Sequence, residues 1–193
     1  NLCVNQGDKV TITLHNNLPA PTSIMFPGMQ KVNADGVLTK PDFANKTLTK
    51  AAAPAGSVTY SFTANDPGTY MYESGTDSEL QVRMGMVGAL VVRPRGPVPA
   101  GSPPNTLGPV LADRAYADTW TQFNTGHEYI HVLSEVDPDM HHAIEAGATS
   151  YDLTLYHAHY YFINGRSFPD TISPNFAAHL PSQPYSALVH MTP

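Results

Sequence analysis

Polar and apolar residues alternate along several short stretches in the first half of the chain. Lys9–His15 alternates without a break, and Ser57–Thr63 repeats the pattern. A period of two predicts a β-strand that has one face in a core and the other in water. Residues 87–92 are instead continuously apolar. Such a run predicts a strand that is covered on both faces.

No strong helical pattern separates these strands, and turn-forming residues are abundant. The 193 residues include 14 glycines and 18 prolines, while 13% of the residues are charged. Many short strands joined by tight turns have this kind of composition. The sequence therefore predicts an all-β protein, built as an antiparallel sandwich or barrel.

A proline-rich segment divides the chain. Residues 94–109 contain six prolines with glycine and serine between them, which favours an extended spacer and forbids a central strand. We therefore predict a first β domain over 1–93, a linker over 94–109, and the first part of a second β domain over 110–193. A short helix is expected near 137–146, with Asp137 as its N-cap.

The second domain is expected to carry further strands. Residues 117–123 and 128–133 contain β-favouring side chains and are predicted as strands. Residues 160–163 lead into Asn164-Gly165, the strongest sequence signal for a two-residue β-hairpin.

Charge and cysteine content limit the partners of the chain. The formal net charge is −6, which offers no electrostatic footprint for nucleic acid or for an anionic membrane. The longest apolar runs fall short of the ~20 residues that span a bilayer. Cys3 is the single cysteine, so an internal disulfide is excluded, and we expect a buried, inert thiol. We predict no nucleic-acid or membrane partner, while a homo-oligomer is compatible with these observations.

Two segments, hereafter the loop pair, carry a specific pattern. Residues 21–28 read P-T-S-I-M-F-P-G, and residues 68–75 read G-T-Y-M-Y-E-S-G. They resemble the T-S-I-H-W-H-G and G-T-Y-W-Y-H-S-H loops of the multicopper oxidase family. Residues 3–12 and 80–92 are similar to the opening and closing segments of the family's first domain. At the four histidine positions of the loops this chain has Met25, Pro27, Glu73 and Gly75.

The resemblance implies a Greek-key β-sandwich or barrel of the cupredoxin type, in two domains of which the second is incomplete. It also implies an extracytoplasmic or secreted protein that oxidises a small phenol or a metal ion. In the family, pairs of H-x-H sequences hold a trinuclear copper cluster, and copper takes imidazole nitrogen readily in both oxidation states. We therefore expect copper in the full-length protein but no complete copper site in 1–93. Met25, Phe26 and Tyr72 are expected to fill the space of the cluster.

Two functions follow as alternatives. The chain is predicted to be part of a laccase-like, copper-dependent oxidoreductase whose copper sites lie in other sequence, with its catalytic residues unassigned. Alternatively, it is a non-catalytic, cupredoxin-like scaffold or assembly module that has lost copper.

Two histidine groups outside the loop pair have metal-ligand spacing. His127 and His131 form an H-E-x-x-H string, but this string needs a helix to chelate zinc, and its residues favour a strand. Incidental histidines on a strand are the favoured interpretation there. His157 and His159 form an H-x-H pair whose rings leave a strand on the same side, with His141 or His142 as candidate third ligands. Solvated or core histidines are the more frequent case, so metal binding by this pair is a hypothesis to be tested.

Overall fold

The structure is a computed structural model and describes residues 1–190. The chain divides into two compact units. The first consists of Asn1–Ser78 with Met86–Gly126, and the second of Glu79–Gly85 with His127–Pro193. The last three residues of the domain predicted at 110–193 lie outside the described residues. Within residues 1–190, none of the helices has the length and apolar character needed to cross a membrane.

The first unit is built from two small sheets. One sheet has the order β1-β7-β6, with β1 parallel to β7 and β6 antiparallel to it. The other has the order β2-β5-β3-β4, with antiparallel neighbours throughout. The strands are β1 Leu2–Asn5, β2 Lys9–His15, β3 Asn33–Ala34, β4 Val37–Leu38, β5 Ser57–Thr63, β6 Gly68–Glu73 and β7 Val87–Arg93. The prediction of an all-β sandwich is confirmed.

Both sheets contribute side chains to one core. Tyr60 and Phe62 on β5 meet Leu90 and Val92 on β7, and all four side chains are buried. The alternation of β5 appears directly in its burial, since every second residue is buried. In β7, five consecutive residues are buried, as its continuous apolar run predicts. Burying these apolar side chains on both faces of a strand is the main driving force for closing the sandwich.

The proline-rich segment 94–109 belongs to the first unit. It has no strand beyond an isolated bridge between Arg95 and Val110. The Arg95 guanidinium donates to the main-chain oxygen of Gln6 at 2.7 Å and pairs with Asp8 at 3.0 Å. These polar contacts hold Arg95 against the turn between β1 and β2. The first unit continues beyond the predicted linker to Gly126, and the second unit resumes at His127.

The second unit contains a two-stranded antiparallel sheet and a helix. The strands are β8 Leu133–Val136 and β9 Tyr160–Ile163. In the described residues the α-helices are α1 Ser78–Gln81 and α2 Pro138–Glu145. The predicted helix near 137–146 is confirmed, and its Asp137 cap accepts from two main-chain N–H groups. The two-residue turn after β9 is present, since Asn164 and Gly165 have positive φ, 54° and 76°. The predicted hairpin is wrong in the described residues, because β9 pairs with β8 and only an isolated bridge joins Ile163 to Arg166 across the turn.

The strands predicted at 117–123 and 128–133 are wrong. Thr119–Thr121 forms a 3-10 turn, and the strand in the second segment begins only at Leu133. The Thr121 hydroxyl donates to the main-chain oxygen of Asp118 at 2.7 Å and also contacts Tyr116. Such local bonds between a side chain and the main chain compete with strand pairing.

A buried arginine organises the C-terminal part of the second unit. Arg166 is 1% exposed, and its guanidinium donates to the main-chain oxygens of Ser173 at 2.7 Å and Gln183 at 2.7 and 3.0 Å. It reaches Pro174 O at 3.3 Å as well. These carbonyl groups replace water around the buried cation, which otherwise would be costly to bury.

Candidate functional site at the loop pair

The two segments of the loop pair lie side by side. Met25 N donates to Glu73 O at 2.7 Å, and Glu73 N donates to Met25 O at 3.1 Å. This reciprocal exchange makes Met25 and Glu73 a hydrogen-bonded antiparallel pair. Two of the four positions that the family pattern assigns to histidine are therefore direct neighbours.

One side of the loop pair faces the core of the sandwich. Phe26 is 3% exposed, and its ring centroid lies 4.9 Å from Phe62, 6.0 Å from Tyr60 and 6.4 Å from Tyr72. Tyr72 also packs against this core. The Phe26 and Tyr72 rings thus complete the hydrophobic core, and the expectation that Met25, Phe26 and Tyr72 fill the space of a copper cluster stays a prediction.

Two further matches to the family loops pack against each other. Gly28 has φ 88°, and a Cβ placed on it would lie 2.6 Å from the Tyr70 ring. The Tyr70 hydroxyl donates to Asp66 O at 3.0 Å, and burial raises the pKa of Tyr70. A glycine is required at 28 both for its backbone conformation and for this close approach.

The four positions that hold histidine in the family pattern differ in exposure. Met25 and Glu73 are half-buried, Pro27 is exposed and Gly75 is buried. Little free space surrounds Gly75, since a Cβ there would lie 3.1 Å from Thr49 Cγ2 and 3.3 Å from Met25 Cβ. A side chain at 75 would therefore have to displace its neighbours.

Buried hydroxyl groups tie a third segment to the loop pair. Thr76 Oγ1 donates to Ser23 Oγ at 2.8 Å and lies 2.9 Å from Thr47 Oγ1. Thr47 in turn donates to Thr49 O at 2.6 Å. All three hydroxyl residues are at most 6% exposed. We call Ser23, Thr47 and Thr76 the hydroxyl cluster. This cluster could not be predicted from the sequence, because serine and threonine in loops have no distinctive pattern.

Tyr60 links β5 to the same region. Its hydroxyl donates to Lys50 O at 2.6 Å and accepts from Ile24 N at 3.2 Å. Burial raises the pKa of this phenol, so Tyr60 stays protonated and acts as a neutral cross-link.

The side chains at the ligand positions do not fit a copper cluster that requires imidazole. Met25 offers a soft thioether and Glu73 a hard carboxylate, whereas Pro27 and Gly75 have no ligating side-chain atom. In residues 1–190, no group of three or more His, Cys, Asp or Glu side chains is placed to hold a metal ion.

Comparisons with known proteins show the family of the chain. The sequence pattern of the family described as multicopper oxidase matches residues 1–97. The chain belongs to the multicopper oxidase family. It is 34% identical over 101 residues to "Multicopper oxidase CTB12" of Cercospora beticola, which covers 51% of this chain and 14% of that multicopper oxidase. It is 40% identical over 90 residues to "Iron transport multicopper oxidase fetC" of Epichloe festucae, and the match covers 46% of this chain and 13% of that oxidase.

The matched region is a small part of these multicopper oxidases, about one seventh of their length. Among solved structures, the "Blue Copper Oxidase from Nitrosomonas europaea" is 25% identical, with a TM-score of 0.58 over 88% of this chain and 44% of that one. "Multicopper Oxidase mgLAC" shares the fold at 21% identity, with a TM-score of 0.57 over 87% of this chain and 44% of that one. The cupredoxin-type fold is thereby confirmed.

The remaining candidate residues belong to neither segment of the loop pair. In the H-E-x-x-H string, His127 ends a 3-10 turn and residues 128–131 form neither helix nor strand, so the geometry of a zinc protease is lacking there. His157 and His159 are exposed, with ring centroids 5.1 Å apart, and they precede β9 rather than lie on it. Cys3 is exposed, so the expectation of a buried thiol is wrong. Its neighbours Leu2 and Val4 point into the core, which turns Cys3 outward.

Proposed function

We propose that this chain is part of a copper-dependent oxidoreductase in which residues 1–93 form a structural domain without a complete copper site. The Met25–Glu73 pair carries the proposal. It brings the two family loops together, yet neither residue offers imidazole. Copper sites elsewhere in the whole protein would then perform any oxidation, and this domain would contribute folding and assembly.

The substrate and location are proposed from the family. One relative is named a laccase, from Aspergillus fumigatus, and another an iron transport multicopper oxidase. We accordingly propose a small phenol or a metal ion as substrate of the whole protein, and a secreted or extracytoplasmic location.

The test uses the complete product of the gene that encodes this chain. We expect it to retain copper after desalting, measured by elemental analysis, and to consume oxygen when a phenol or ferrous iron is supplied. The variants Met25→Ala and Glu73→Ala should leave copper content and oxygen uptake unchanged, because neither side chain binds the metal. Loss of copper in either variant would contradict the proposal.

A second function is favoured by the close packing at Gly75. Contacts of 3.1–3.3 Å around its Cβ position leave no room for a histidine ring without rearrangement. Such a filled space at Gly75 is expected of a non-catalytic assembly module that has lost copper entirely. Absence of both copper and oxygen uptake in the complete gene product would favour this module over the oxidoreductase.

A further inference from the structure

We propose that His157 and His159 form a chelating site for one divalent transition-metal ion, with Cu²⁺ as the preferred ion. The site lies in the second unit and uses none of the residues of the loop pair. It is independent of the function proposed above.

The spacing of the two rings matches that of a bis-imidazole chelate. A metal–nitrogen bond of about 2.0–2.1 Å places a ring centroid about 3.2 Å from the ion. Two such rings have centroids about 4.5 Å apart at the right angle of a tetragonal Cu²⁺ complex, and about 5.2 Å apart at a tetrahedral angle. The observed centroid distance is 5.1 Å, with the ring planes inclined by 68°. Chelation of Cu²⁺ therefore needs the two rings to approach by about 0.6 Å and to turn one nitrogen each toward the ion.

The backbone of both ligands is held in place. His157 N donates to Asp137 Oδ2 at 2.9 Å, and His159 N donates to Val136 O at 3.0 Å. Asp137 is 2% exposed and is fixed as the N-cap of α2. A chelate whose backbone is already ordered loses less conformational entropy when the metal binds.

The chemistry of the donors selects the class of ion. Neutral imidazole suits copper, nickel and zinc, and the affinity of a given nitrogen site is highest for Cu²⁺ in the divalent series. Both imidazoles are exposed, so water can complete the coordination sphere. Within residues 1–190 no third His, Cys, Asp or Glu is placed to join them, and the site is therefore an open one.

The test titrates the 193-residue chain with Cu²⁺. All proteins carry Cys3→Ser, because the exposed thiol would itself bind or reduce the ion. Calorimetry should give one equivalent bound, and electron paramagnetic resonance should show nitrogen ligands. His157→Ala and His159→Ala should each weaken Cu²⁺ binding at least about tenfold. Loss of a residue that only hydrogen-bonds to a metal ligand already lowers metal affinity by about this factor.

The matched control removes two imidazoles elsewhere, one more than either single variant. His141→Ala/His142→Ala should bind Cu²⁺ as the parent protein does, because adjacent residues on α2 point in different directions. If this control weakens binding as much as His157→Ala, the ion is held by scattered histidines and the proposal is overturned. It is overturned as well if both single variants retain the affinity and the nitrogen signature of the parent.

Discussion

Replacing Phe26 with alanine should destabilise the first unit strongly, although residue 26 lies between two positions that hold histidine in the family pattern. The ring is 3% exposed and contacts three aromatic rings at centroid distances of 4.9–6.4 Å. Burial of a phenylalanine contributes about 1.5–3 kcal/mol, and the cavity left behind brings a typical Phe→Ala loss to about 3–5 kcal/mol. A domain with about 5–15 kcal/mol of stability would lose a large part of it.

Hydrogen exchange measured by mass spectrometry reports this loss within the first unit. The relevant peptide covers β5, which carries two of the aromatic partners of Phe26. A loss of about 3–5 kcal/mol should accelerate exchange of its most protected amides about 100- to 5,000-fold. Phe26→Leu should restore most of the protection, because it refills the cavity with apolar volume.

The matched control is Met25→Ala. Met25 is half-buried and is held through main-chain hydrogen bonds, which alanine retains. Its cost should stay below about 1 kcal/mol. Equal acceleration of exchange by Phe26→Ala and Met25→Ala would refute the assignment of one side of the loop pair to the core.

Three further predictions concern buried polar groups. Arg166→Met should lower the free energy of unfolding in urea by about 3 kcal/mol or more, because several buried carbonyl groups lose their donor; a loss below about 1 kcal/mol would contradict this. Tyr60→Phe removes the donor to Lys50 O and should cost about 1–2 kcal/mol in thermal unfolding, so an unchanged midpoint would argue against the cross-link. Several hydrogen-bond donors, of which the main-chain N–H of His157 has the largest effect, lower the pKa of Asp137 below 3.8. The ionised carboxylate therefore stabilises the fold at pH values above its ordinary pKa, and this stabilisation is lost as the pH falls through the lowered pKa. Asp137→Asn should therefore unfold with a midpoint that depends less on pH between about 2 and 5, and an equally steep profile would exclude the role.

Much of the first unit could be predicted from sequence because its signals are local. The alternation in Lys9–His15 and Ser57–Thr63 and the apolar run of residues 87–92 each became a strand at the expected position. The cap at Asp137 and the turn at Asn164-Gly165 were likewise predictable, since each depends on a few neighbouring residues.

The predictions were wrong where contacts between distant parts of the chain determine the structure. Residues 117–123 favour strands by composition, but no partner strand pairs with them, and hydroxyl bonds to the main chain hold a turn instead. Cys3 resembles a typical small buried residue, yet its position on β1 directs it to the exposed face. Burial depends on what covers a face, which alternation alone does not specify.

For the loop pair, the sequence by itself determined which chemical groups are present: a thioether at Met25, a carboxylate at Glu73, and no ligating atom at the other two positions. Only the tertiary structure decided how these groups are arranged. It set Met25 directly against Glu73, turned Phe26 into the core, and closed the space at Gly75 with neighbouring side chains. The reason is that donor chemistry belongs to each residue alone, whereas the direction and surroundings of a side chain follow from pairing and packing between segments far apart in the chain.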